Sequence, residues 1–134
     1  MVRKTAFVIL SIFLASCEDL RLYEVYSDAD EARADGGVER GWLPDWLPDN
    51  AINIHDYHDL DTNIRAISFG MRDSRAFVLP DHCIAAAEVL PPRLKTKLFP
   101  RSLHKKNGIM DCVDLFVFQE KNGMVHAWST HNGR

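Results

Sequence analysis

Residues 41–63, GWLPDWLPDNAINIHDYHDLDTN, decide how the chain is built. They open on a tandem Trp-Leu-Pro-Asp repeat and hold two of the three tryptophans and two of the six histidines. Pro44 and Pro48 forbid a long helix or a central strand here, because proline lacks the amide donor and fixes φ. Trp42 and Trp46 stand four apart and would share a face if the segment formed short helical turns. They then read as aromatic plugs at one end of a core, or as an interaction surface together with Tyr57, since Trp and Tyr often anchor interfaces.

From residue 51 the pattern changes to alternation, the period of a strand. Ile52 and Ile54 share one face with Asp56, His58 and Leu60, while His55, Tyr57 and Asp59 take the other. Residues 64–71 alternate again: Arg65, Ile67, Phe69 and Met71 against Ala66, Ser68 and Gly70. The intervening Asp59, Asp61, Thr62 and Asn63 suit a turn, because short polar side chains can bond their own backbone. An antiparallel hairpin over 51–71 follows.

Upstream, Leu22, Tyr23, Val25 and Tyr26 suggest a first strand. Ser27 or Asp28 can cap a helix over 30–35 by accepting from its free first-turn amides. Gly36 and Gly37 then stop it. Downstream, Asp81 is placed to cap a second helix running to Leu90, with Cys83, Ala87, Leu90 and Leu94 on one stripe. Residues 93–106 carry six Lys or Arg and no acid. That run reads as a solvated face, or as a basic face near anionic lipid or murein. Residues 111–120 read as a buried strand, Asn122-Gly123 as a two-residue type I′ turn, and 124–130 as the returning strand. The expected fold is α+β: an antiparallel sheet of four to five strands with two helices packed on it.

The first sixteen residues read as a signal peptide. Arg3 and Lys4 precede an apolar run over 6–14 that is shorter than the about 20 residues a membrane-spanning helix needs. Leu14-Ala15-Ser16-Cys17 resembles the lipobox of bacterial lipoproteins. That resemblance implies cleavage before Cys17, acylation (palmitate) of Cys17, and one lipid-anchored domain over 17–134 facing the periplasm. Glu18, rather than aspartate, after the cysteine slightly favours the outer over the inner membrane. The formal charge of −3 grows more negative without Arg3 and Lys4, so no general attraction for nucleic acid exists. The partners expected are the membrane, through the lipid, and an envelope protein. Cys83 and Cys112 remain as an even pair, either one disulfide or two buried thiols.

Chemistry has few footholds. There is no Gly-x-Ser-x-Gly, His-Glu-x-x-His, phosphate-cradling glycine loop or Cys-x-x-Cys. His55, Asp56, His58, Asp59 and Asp61 offer imidazole and carboxylate ligands, and zinc would be the metal. On a strand, however, His55 and His58 point to opposite faces. Asp59, Asp61, Thr62 and Asn63 can form an oxygen-rich turn for a cation or polar ligand, although an EF-hand's glycine and distal glutamate are missing. A self-capped turn is the plainer reading.

Residues 39–44 (ERGWLP), 45–48 (DWLP) and 58–63 (HDLDTN) together resemble the YbbD head-domain group, small proteins of the bacterial envelope. The likeness extends more loosely to Trp128 in the closing hairpin. It implies a compact α+β domain at the cell envelope and no assigned catalytic residues; Cys83, Cys112 and the basic run lie outside the pattern. Two functions compete on this reading. One is a non-enzymatic interaction module using Trp42, Trp46 and Tyr57. The other is a metal- or small-ligand-binding protein using His55, His58, Asp59, Asp61 and Asn63.

Overall fold

The computed structural model describes residues 20–73 and 77–131. Cys17 and the signal segment lie outside the described residues. The strands are β1 (Arg21–Asp28), β2 (Ala51–Asp59), β3 (Arg65–Met71), β4 (Ile84–Ala85), β5 (Met110–Asp111), β6 (Leu115–Gln119) and β7 (Val125–Ser129). They form one seven-stranded sheet in the order β1-β2-β3-β7-β6-β5-β4, and every pairing is antiparallel. Among the described residues, helix is limited to α1 (Ala29–Ala34) and a 3-10 turn at Leu103–Lys105. The α+β expectation of four to five strands carrying two helices is therefore wrong.

The first helix forms where its cap predicts. Asp28 Oδ1 accepts from the Glu31 amide at 3.0 Å, and Glu31 reaches back to the Ser27 amide and hydroxyl, both at 2.6 Å. Those bonds outweigh neighbouring acids and hold the Glu31 carboxyl below its usual range. Gly36, at φ 83°, then ends the segment in the left-handed region that glycine enters freely.

The second helix does not form. Ile84 and Ala85 pair with Asp111 and Met110, and Ala86 donates to the Ile109 carbonyl. A disulfide joins Cys83 to Cys112 beside this pairing. The residues read as one helical stripe are divided instead: Cys83 joins the core on one side of the sheet, Leu90 packs on the other, and Ala87 is exposed. The strand expected over 111–120 is also broken. Cys112, Val113 and Asp114 make a γ-turn in which the Asp114 amide donates to the Cys112 carbonyl at 2.9 Å, with Val113 at φ 72°. At the last hairpin only Gly123 is left-handed, and Glu120 and Met124 close the loop, so this is a three-residue turn rather than type I′.

Alternation gives the sheet two faces. The front face carries Ile54, Ile67, Phe69, Val117, Val125 and Ala127, covered by α1 and the 36–50 segment. The leucines of the tandem repeat, Leu43 and Leu47, are the plugs that enter this core; both tryptophans remain half-buried. The back face carries Phe116 and Trp128 under the 86–109 segment, whose Leu90 carbonyl accepts from the Trp128 indole at 2.8 Å. Residues 93–95 of that cover reach Arg21 and Tyr57 at one end of β1 and β2, while Tyr23 and Val25 remain 48 % and 51 % exposed.

Candidate functional site

Parity along β2 builds the site. An extra residue between Ile52 and His55, with Asn53 at φ 48°, shifts the register against β3. This bulge sets the faces beyond it: Ile54, Asp56 and His58 turn to the front, while His55 and Tyr57 turn to the back. Asp56 is 0 % exposed and His58 2 %. Their side chains meet at 3.0 Å, Asp56 Oδ2 to His58 Nδ1.

A carboxylate cannot donate, so the ring nitrogen facing it carries the proton. In the neutral ring Nε2 is then a lone-pair acceptor, oriented by its acidic partner. Both Nε2 and Asp56 Oδ1 are buried without a hydrogen-bond partner. Buried polar atoms are nearly always paired, so these two exceptions need an explanation.

A hollow of about 300 Å³ lies at the C-terminal end of β2, with His58, Arg40, Trp42, Asn63, Arg65 and Asp114 in its wall. Trp42 stacks on His58 with ring centroids 4.0 Å apart, and the Arg40 guanidinium lies over the indole at 4.0 Å. The order Arg40, Trp42, His58 closes one side.

Arg65 is the direct cross-strand partner of His58. Its Nη1 donates to the Gly41 carbonyl at 2.6 Å. Burial pushes the guanidinium below the ordinary arginine range, while Asp114 and Asp56 pull it back up. No carboxylate of the described residues stands within ion-pairing distance of it.

The other expected residues are scattered. His55 lies on the back face, where its Nδ1 and the Tyr23 hydroxyl are 2.6 Å apart. Tyr57 stacks on Tyr23 at 4.1 Å on the same face. Trp46 packs against Phe77 at 5.9 Å, away from both Trp42 and Tyr57, so the three aromatics do not form one surface. Asp59 accepts from the Asp61 and Thr62 amides at 3.0 and 3.1 Å. Burial would raise its carboxyl, but those amides, with Arg21 nearby, hold it below the usual range. Asp61 is exposed. Asn63, at φ 57°, closes the turn and borders the hollow. Among the described residues no three His, Cys, Asp or Glu side chains gather as a metal site.

Sequence reasoning missed Arg40, Arg65 and Asp114. Only Arg65 had a usable signal, because the hairpin register sets it opposite His58. It also missed a second network. Ser68 Oγ and His126 Nδ1 are 2.7 Å apart, and His126 Nε2 lies 2.6 Å from Glu120 Oε1. This resembles a hydrolytic triad by composition. Ser68 and His126 are both buried at 1 % exposure, however, so no substrate reaches the hydroxyl. The network pins β3 to β7 and to the 120–124 turn.

The architecture is thus an antiparallel-sheet domain with a polar hollow over a buried acid–histidine pair. Residues 21–70 match the family model described as the YbbD head domain. The resemblance carried by residues 39–63 holds, and the match spans β1, α1, β2 and most of β3; the looser likeness at Trp128 falls outside it. The family supports an envelope-associated protein. No curated protein and no solved structure matches the chain.

Proposed function

We propose that the protein is a lipid-anchored, non-enzymatic binding module of the cell envelope, and that the hollow beside His58 receives a polar group of its ligand or partner. One observation carries the reading: the hollow of about 300 Å³ gathers Arg40, Asn63, Arg65 and Asp114 beside the buried Asp56–His58 pair. Charged and amide side chains converging on a concave site can orient a polar ligand. The anchor rests on the lipobox-like 14–17 and on the acylation of Cys17.

The test is native mass spectrometry of the full lipoprotein extracted from its own envelope, paired with a photocrosslinker at Leu60 on the rim. A discrete bound species or adduct, absent from His58→Gln, is expected. Neither species nor adduct from wild type would refute the reading. Palmitate labelling of wild type but not Cys17→Ala is the expected result for the anchor, and an unlabelled wild type would refute it.

A second reading has its own support at β1, the edge strand of the sheet among the described residues, where Tyr23 and Val25 stand exposed on the back face. An extended segment of an envelope partner can add to such an edge. An adduct from position 23 rather than position 60 would favour it. The zinc alternative predicts a Zn²⁺-dependent rise in the melting midpoint that His58→Ala removes.

A further inference from the structure

We propose that a shallow cleft walled by Arg21, Arg93 and Lys95 seats the headgroup of an anionic phospholipid, so that this end of the sheet rests on the membrane surface. This rests on the reading of Cys17 as the lipid anchor and adds where the domain meets the bilayer.

The cleft, of about 240 Å³, lies where the start of β1 and the end of β2 meet the segment covering the back face. Its wall carries three cations and no carboxylate. Arg21 stands 3.7 Å from Asp59. Arg93 and Lys95 are exposed, and no carboxylate of the described residues lies within ion-pairing distance of either. Arg33, Arg40 and Arg72, by contrast, each face an aspartate. The cleft also opens onto the basic run. Along 93–97 the chain half-buries Leu94 and Thr96 and exposes Arg93, Lys95 and Lys97. Residues 93–106 hold six Lys or Arg and no acid in a chain of net charge −3, so positive charge is gathered on this cover.

The tether decides which anion meets that charge. Cys17 is three residues before Leu20, and an extended chain gains only about 3.3–3.6 Å per residue. Leu20 therefore lies within about 11 Å of the acylated cysteine. The Debye length at physiological salt is about 8 Å, so an anionic leaflet acts on the cations beside Arg21. Glu18 and Asp19 oppose this attraction, and the six cations of 93–106 outnumber them. Apolar side chains stand at the same end. Leu20 and Leu60 are 44 % and 45 % exposed and are joined by a 3.0 Å backbone bond, and Tyr57 lines the cleft. Murein lies beyond the leaflet and would meet the other end of the sheet first. An acyl anchor with a basic patch beside it is a pairing that fixes a domain on an anionic surface.

The experiment uses the full lipoprotein, purified from its own envelope and reconstituted in phosphatidylcholine vesicles with or without phosphatidylglycerol. A brief pulse of acetic anhydride labels lysines, and mass spectrometry reads the rate at each. Lys121 is the internal control. It is exposed in the loop after β6, at the end of the sheet remote from Arg21 and Asp59. With phosphatidylglycerol, Lys95 should label about fivefold more slowly, the scale of one cation near an anionic surface, while Lys121 keeps its rate. The protection should vanish in about 1 M salt, where the Debye length is about 3 Å.

Arg93→Gln should remove much of the protection at Lys95 and leave the urea midpoint unchanged. A destabilised Arg93→Gln would show the cation to be paired within the chain, which overturns the proposal. Equal labelling of Lys95 on the two vesicles also overturns it, as does protection by soluble murein fragments and not by vesicles. Flotation of the vesicles reads the anchor separately. Protein that floats with Lys95 unprotected loses the headgroup seat alone, and protein that does not float loses the anchor and the seat with it.

Discussion

The Asp56–His58 pair can be tested as a site rather than a structural brace through a double-mutant cycle. His58→Leu leaves Asp56 at 0 % exposure with no hydrogen bond, opposite Glu24 on β1 and with Arg65 as its nearest compensation. Stranding a buried carboxylate without a partner costs about 3–5 kcal/mol, the scale seen when one member of a buried pair is removed. Asp56→Leu leaves Nδ1 of the His58 ring unpaired, at about 1–3 kcal/mol. Treated as independent, the two changes would sum to roughly 4–8 kcal/mol. The double Leu variant removes both polar groups, together with the two atoms that already lack partners. Apolar replacement of a whole buried pair is neutral or stabilising, so the double variant should unfold within about 1 kcal/mol of wild type or above it. Coupling of roughly 3 kcal/mol or more is therefore expected. Urea unfolding of the four proteins measures it, with an unchanged m-value as the check that compactness is retained. If the double variant loses the sum of the singles, the pair braces the fold and its retention needs no functional reason.

Three other expectations follow from the same geometry. Cys83→Ala/Cys112→Ala opens a loop of sequence separation 29 and should lower stability by roughly 3–4 kcal/mol, which is about 10–15 °C in the melting midpoint; a drop under a few degrees would refute the chain-entropy account. Tyr26 has its hydroxyl pKa raised by burial first and then by its 2.9 Å bond to Asp35. The folded state therefore holds that proton longer than the unfolded chain, and the stability it contributes is present below about pH 10 and lost as pH rises beyond it. Tyr26→Phe should flatten the fall in stability measured by urea between pH 9 and 11 (about the range where free tyrosine titrates), and an unchanged slope would contradict the assignment. Val113, at φ 72° and 69 % exposed, holds a left-handed conformation that a β-branched residue resists. Val113→Gly should stabilise by about 0.5–1 kcal/mol, the relieved strain less the entropy of glycine, and a destabilised variant would show the turn to be unstrained.

Alternation made the hairpin over 51–71 legible, and the capping pattern made α1 legible, because both signals are local. What failed was decided by distant partners. Residues 81–90 carry a helical stripe, yet backbone pairing with 110–111 and the bond to Cys112 draw the same residues to opposite sides of the sheet. The tandem tryptophans invited a shared face, but four-residue spacing has that meaning only on a helix, and the segment folds as turns around its two prolines. The same limit governs the site. His58 was visible as a polar residue on the Ile54 face. Nothing local revealed that Arg40 and Trp42 fold back across it, or that the γ-turn at 112–114 delivers Asp114 from the far half of the chain.

The distribution of the site over the chain bears on how it arose. Arg40, Trp42, Asp56, His58, Asn63 and Arg65 all lie within the residues that match the head-domain family, while Asp114 and His131 come from outside them. The matched segment ends within β3, whose Ile67 and Phe69 pair with Ala127 and Val125 of β7 and share one core with them. The second half thus completes that core, and the disulfide ties it where its strands are only two residues long. The buried acid–histidine pair and the arginine opposite it lie within the matched segment, while Asp114 reaches the same hollow from outside it, so the hollow forms only when both halves of the sheet are in place.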